Sequence, residues 1–308
     1  VRNHLLHFAL CLAIGAPLAG CASPFHADGR SALARFEFEH VYQPARYPTG
    51  DWSPGAHEFE DAWFTAEDGT RLNGWYMPHE KPRATVLFAH GNAGNLTHCA
   101  GLMRMLHDRH RLSVMVFDYR GYGKSDGDPD EAGIVTDARA ARRWLAQREQ
   151  IDEGDIVLMG QSLGGGVAVD LAADDGARGL LLVSTFTSLP DVAAHHYPLL
   201  PARLMMQNQF DSASKIGRYH GRLLQVHGDQ DRVIPLAIGK RLFATANEPK
   251  RFVVGPGADH NDALPEEFHK ALDEFLASLP AVHPQPAPPR WHRTRASEQQ
   301  AGSSSVHG

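Results

Sequence analysis

Cysteine is scarce in this chain. Its three residues, Cys11, Cys21 and Cys99, are too scattered for a disulfide framework or a Cys-x-x-Cys metal site. His-Glu-x-x-His is missing as well, so no metal is implied. Nor is there an excess of positive charge. The 30 Lys and Arg against 36 Asp and Glu leave a formal charge of −6, which argues against broad nucleic-acid binding. No stretch approaches the roughly 20 uninterrupted apolar residues that a membrane span needs, and no internal repeat is present. What is there, 43% hydrophobic and 21% charged residues, is ordinary for a soluble globular protein. A core of that size needs no disulfide. The 308 residues admit one large domain or two small ones.

The ends read differently from the middle. Arg2 precedes an apolar run from Phe8 to Leu18, broken only by small residues and Pro17, the layout of a secretory leader. Taken alone, the run would also fit a plain secreted protein or an uncleaved helix. It closes on Leu18-Ala19-Gly20-Cys21, which resembles the lipobox of bacterial lipoproteins. That resemblance implies cleavage before Cys21, lipidation of its thiol and a place in the bacterial cell envelope. Ala22 stands where the family's inner-membrane retention signal is Asp, which implies the outer membrane, periplasmic side. Several acyl chains anchor far better than one, at roughly 0.8 kcal/mol per buried CH₂. Cys99 would then be the remaining thiol, in a helix-like stretch where it reads as a small buried apolar residue. Residues 281–308 are Pro-rich and then Ser/Gly-rich, the composition of a disordered tail. The expected organisation is a leader at 1–20, an anchor and linker at 21–57, a catalytic domain at 58–280 and the tail.

From about Phe59 the pattern is regular. Glu58 to Thr65 and Leu72 to Met77 read as an antiparallel hairpin through Glu67-Asp68-Gly69-Thr70. Ala84 to Ala89 is continuously apolar, as a strand covered on both faces would be. Helical spacing follows from Leu96 to about Arg109, then a strand at Ser113 to Phe117, a helix at Ala132 to Arg148 and a strand at Ile156 to Met159. A helix over Leu163 to Ala173, a strand at Gly179 to Val183 and two more strand–helix units complete the run. Residues 189–219 interrupt it as a small helical cap. Such alternation predicts an α/β fold with a mostly parallel sheet flanked by helices, and catalytic groups in loops at the carboxyl ends of its strands.

Gly160-Gln161-Ser162-Leu163-Gly164 falls between a predicted strand and a predicted helix. Small residues there permit the sharp turn that lifts a serine hydroxyl clear of the sheet, and the next helix aims its first N–H groups at developing negative charge. A serine hydroxyl needs a base. His227-Gly228-Asp229-Gln230-Asp231 and Gly257-Ala258-Asp259-His260 follow later strands, so an acid and then a histidine occur in the order this fold requires. Asp in a Gly-rich turn is common, and 19 histidines make a loop His cheap, but the ordered combination at strand ends is harder to dismiss. Gly121 to Ser125 contains Gly-Lys-Ser without the upstream glycine of a P-loop. His195 and His196 are adjacent and would point apart on a helix.

The chain resembles α/β-hydrolase-domain serine hydrolases of the branch around serine aminopeptidases, monoglyceride lipases and depalmitoylating thioesterases. Five motifs in order carry the likeness over about residues 60–279: His90-Gly91-Asn92-Ala93-Gly94-Asn95, Asp118-Tyr119-Arg120-Gly121-Tyr122-Gly123-Lys124-Ser125, and the Ser, Asp and His loops. Gln161 replaces the commoner His before the nucleophile, a change outside the mechanism. The resemblance implies the α/β-hydrolase fold, Ser162 as nucleophile, His260 as base and Asp231, two residues before Val-x-Pro, as the acid in preference to Asp229. It implies an oxyanion hole from the N–H groups of Leu163 and Asn92, with no cofactor. Tyr197, Leu199, Leu200 and Met205 of the cap are candidate linings for an acyl pocket. The expected activity is hydrolysis of small-molecule acyl esters or thioesters by an enzyme tied to the membrane through lipidated Cys21. A serine peptidase and a catalytically silent lipoprotein that binds without turnover are the alternatives.

Overall fold

Ala84–Ala89, apolar throughout, is buried at every position and lies third in chain order in an eight-stranded sheet. A computed structural model describes residues 41–53, 55, 59–199 and 201–283. The expected leader, Cys21 and nearly all of the expected tail lie outside the described residues. The strands are β1 (Glu60–Thr65), β2 (Arg71–Met77), β3 (Ala84–Ala89), β4 (Leu112–Phe117), β5 (Val157–Gln161), β6 (Gly179–Val183), β7 (Leu223–Gly228) and β8 (Lys250–Gly255). Their spatial order is β1-β2-β4-β3-β5-β6-β7-β8. β2 pairs antiparallel with β1 and β4, and every other pair is parallel.

Burial explains the strand patterns. Edge strand β1 shows mixed exposure, whereas β3, β4 and β6 are buried along their length because helices cover both faces. On one face, α1 (Ala100–His110) and α8 (Glu266–Ala277) bury Met103, Leu106, Phe268 and Leu272 against the strands. On the other, α2 (Glu131–Glu149), α3 (Leu163–Asp175) and α7 (Leu236–Thr245) contribute Ile134, Leu145, Val167 and Leu242. Asp130 caps α2 by accepting from Gly133 N–H, and Gln150 ends it in the left-handed conformation. The cap between β6 and β7 holds the short helices α4 (Leu189–His196), α5 (Ala202–Met205) and α6 (Ser212–Lys215). This is the α/β-hydrolase fold with a helical insertion.

The chain moves from β3 out to β4 and returns to β5 on the other side of β3. Loops leaving β3 and β5 therefore diverge, opening a crevice at the carboxyl edge where ligands of such sheets bind. The first of those loops carries His90–Asn95, and the second carries Ser162. Cys99 is a buried free thiol, pushed up by the loss of solvent around it. Among the described residues, no helix is long and apolar enough to cross a membrane.

Candidate functional site

Ser162 occupies a one-residue turn between β5 and α3, with φ 53° and ψ −118°. A side chain rarely adopts this backbone, which costs on the order of 1–3 kcal/mol and persists only where surroundings enforce it. Here they do. Ser162 N–H donates to the Val183 carbonyl at 3.0 Å, and its own carbonyl accepts from Gly165 N–H and Thr185 Oγ1, both at 2.9 Å. Two glycines make the turn possible. A Cβ at Gly160 would strike the Gly164 backbone, and one at Gly164 would strike the Ala89 carbonyl oxygen. Gly164→Ala should therefore lose about 3 kcal/mol of stability, the upper end for overpacking, because backbone on both sides cannot yield. Denaturant unfolding checks this; an unchanged midpoint would contradict it.

Backbone hydrogen bonds stitch the strand-end loops into one floor. Ser184 N–H donates to the Val226 carbonyl at 3.0 Å, Asp229 N–H to Gly255 at 3.1 Å and Gln230 N–H to Ala258 at 3.0 Å. With the bond from Ser162 to Val183, a continuous line runs from the serine to the loop of His260. At its far end His260 Nδ1 lies 2.8 Å from Asp231 Oδ2. Asp231 Oδ1 accepts from the N–H groups of Val233 at 2.9 Å and Ile234 at 2.8 Å, so backbone fixes one carboxylate oxygen and leaves the other for imidazole. Asp229 is used differently, accepting from Gly257 N–H at 2.7 Å. Burial pushes the Asp231 carboxyl up. Hydrogen bonds from His227 and His260, then the imidazole charge and Ile234 N–H, outweigh it and hold the carboxyl well below the ordinary range.

Ser162, Asp231 and His260 are all buried, yet Ser162 Oγ has no hydrogen-bond partner among the described residues. No hydrogen bond joins Ser162 Oγ to the His260 ring in this structure. The N–H groups of Leu163 and Asn92 likewise have no acceptor among the described residues. Gly91 runs beside the serine, since a Cβ built on it would lie 3.7 Å from Ser162 Cβ. Among the described residues, no group of three or more His, Cys, Asp or Glu is arranged to hold a metal ion.

Of the cap residues expected to line an acyl pocket, Leu199 is 96% exposed and Met205 37%. Tyr197 is half-buried, and Leu200 lies outside the described residues. A cavity of about 660 Å³ lies between α2 and the cap, lined in part by Tyr42, Glu131, Arg139, Asn208 and Lys215. It reaches none of Tyr197, Leu199, Met205 or Ser162. His196 is exposed and its Nε2 meets the Val233 carbonyl at 2.9 Å, so this end of the cap leans on the Asp231 loop.

Sequence reasoning missed His227. Fully buried, it approaches Asp231 Oδ2 at 3.2 Å through Nε2, which also meets the Ile234 carbonyl at 2.7 Å. A histidine four residues before Asp231, inside strand β7, was the available signal.

With this geometry in view, the chain matches the family described as alpha/beta hydrolase fold over residues 84–212. An uncharacterised protein of Mycobacterium tuberculosis is 42% identical over 224 residues, covering 72% of this chain and 79% of its own length. The uncharacterised protein YfhR of Escherichia coli K12 is 35% identical over 250 residues, covering 76% and 85%. Among solved structures, the Pyrococcus furiosus esterase Pf2001 superposes with a TM-score of 0.64 at 21% identity, covering 78% of this chain and 98% of that one. At that identity the likeness speaks for the fold alone.

Proposed function

Since the chain belongs to the alpha/beta hydrolase fold family, we infer that it is a serine hydrolase cleaving ester or thioester bonds of acyl substrates through an acyl-enzyme on Ser162. One observation carries the reading. An imidazole is held by a buried, ionised carboxylate at 2.8 Å, on the same sheet edge as a serine in a strained turn. Binding alone needs none of these.

His260 Nε2 accepts the Ser162 proton as the oxygen attacks the acyl carbon, while Asp231 fixes the proton on Nδ1 and stabilises the imidazolium. The oxyanion then receives the Leu163 and Asn92 N–H groups, each contributing about 2.7–4 kcal/mol in the transition state. The imidazolium returns its proton to the departing alkoxide or thiolate. Water, deprotonated by the same ring, attacks the acyl carbon, and the ring returns that proton to the departing Ser162 oxygen as the acid is released. A fluorophosphonate probe tests the reading: the folded protein should be labelled at Ser162, and a protein that binds without turnover would stay unlabelled.

The same reading puts the enzyme at the bacterial envelope through lipidated Cys21, supported by the Leu18-Ala19-Gly20-Cys21 pattern. In a bacterial host, palmitate should be incorporated and the protein should sediment with membranes, with Cys21→Ala abolishing incorporation. Equal labelling of that variant would refute the anchor.

A further inference from the structure

The two loops that flank β3 and β4 lock together. His90 is buried, and its Nδ1 lies 2.8 Å from the Gly91 carbonyl oxygen, an acceptor that only an N–H can satisfy. In a trans peptide the carbonyl and the following N–H point in opposite directions. Holding Gly91 O toward the ring therefore turns the Asn92 N–H away from it, on a loop that runs beside Ser162. The next peptide is held as well. Asn92 O accepts from Tyr122 Oη at 2.7 Å and from Gln43 N–H at 3.0 Å.

The supports come from the Asp118–Ser125 loop. Tyr119 Oη donates to the His90 carbonyl at 2.7 Å, and its ring packs 4.5 Å from the imidazole. Behind the ring, Asp118 Oδ1 faces His90 Nε2 at 3.6 Å and accepts from Leu96 N–H at 2.7 Å. Ser125 Oγ donates to the Asp118 carbonyl at 2.8 Å. His90 Nε2 is buried with no hydrogen-bond partner, so no competing bond draws the ring away from Gly91.

Resting on the serine-hydrolase reading, we propose that His90 and Tyr122 are positioning residues that preset the Asn92 N–H to receive the oxyanion, with Tyr119 bracing His90. They touch no substrate. Their effect is to fix the planes of the two peptides around Asn92 before the reaction begins, so that no reorganisation is needed as charge develops.

Asparagine can place an amide N–H where His90 Nδ1 now stands, whereas leucine cannot. On a short-chain acyl ester, His90→Leu should lower kcat by about 10²-fold, the lower end for losing one oxyanion donor, with little change in KM. Affinity for an alkyl boronic acid, which forms a tetrahedral adduct on Ser162, should weaken by the same factor. His90→Asn should recover most of both losses. Tyr122→Phe, which removes one hydroxyl from an otherwise intact ring, should move both quantities in the same direction and guards against a leucine variant that misfolds. The proposal is overturned if the asparagine variant falls as far as the leucine one, or if Tyr122→Phe and His90→Leu keep wild-type kcat and boronate affinity. A wild type that neither turns over esters nor binds the boronate would sink the parent reading as well; an active wild type matched by its variants sinks this one alone.

Discussion

Ser162→Ala should lower kcat on acyl esters by on the order of 10⁶, the usual effect of removing a triad nucleophile, and should abolish probe labelling while leaving the fold intact. The second half follows from the structure. The hydroxyl makes no hydrogen bond among the described residues, so its removal strands no buried partner. Alanine meets the same strain as serine at φ 53°. Glycine does not, because it lacks the Cβ that makes this region costly. Ser162→Gly should therefore be as inactive as the alanine variant and more stable than wild type by about 1 kcal/mol, the strain relieved less the added chain entropy of the unfolded glycine. Kinetics and denaturant unfolding on the same preparations check both. An alanine variant with a substantial fraction of wild-type turnover would remove Ser162 from the mechanism. A glycine variant less stable than alanine would mean the turn stores no strain.

Ala84–Ala89 and Gly179–Val183 could be read from the sequence with their ends in place, because a strand buried on both faces leaves an unbroken apolar run. Helix starts were less legible. The spacing predicts helix from Leu96, but a 3₁₀ turn spans Leu96–Cys99 and α1 begins at Ala100, because the Asn95 side chain and the Asp118 carboxylate take the first N–H groups. The strand-end rule located Ser162, Asp231 and His260 because it concerns each strand separately. The side chains that surround them were not legible. His90 meets Tyr122, and Asp118 meets Leu96, only because β4 lies beside β3, a neighbour relation that periodicity cannot give. The cap residues Leu199 and Met205, read from the sequence as a lining, stand exposed at 96% and 37%.

Asp231→Asn should retain the fold at neutral pH and lose about 10⁴ in kcat, the scale seen when a triad acid becomes its amide. The amide oxygen can still accept from Val233 and Ile234 N–H, which keeps the turn. Its nitrogen then replaces Oδ2, facing His260 Nδ1 and His227 Nε2. Two donors cannot share that space, so the His260 proton shifts to Nε2 and the ring loses the lone pair that must accept from Ser162. The wild-type pH profile tests the same carboxylate. Because the folded state holds Asp231 below the ordinary range, its carboxylate contributes stability that is present above the unfolded value and lost only as pH falls through the lowered one. Asp231 stays ionised throughout the acid limb of kcat/KM, which should therefore fall with the slope of a single proton. The stability advantage of wild type over Asp231→Asn should narrow only in strong acid. A second protonation step on the acid limb near the ordinary carboxylate range would show that the aspartate does not stay ionised, and the orientation of His260 would then need another source.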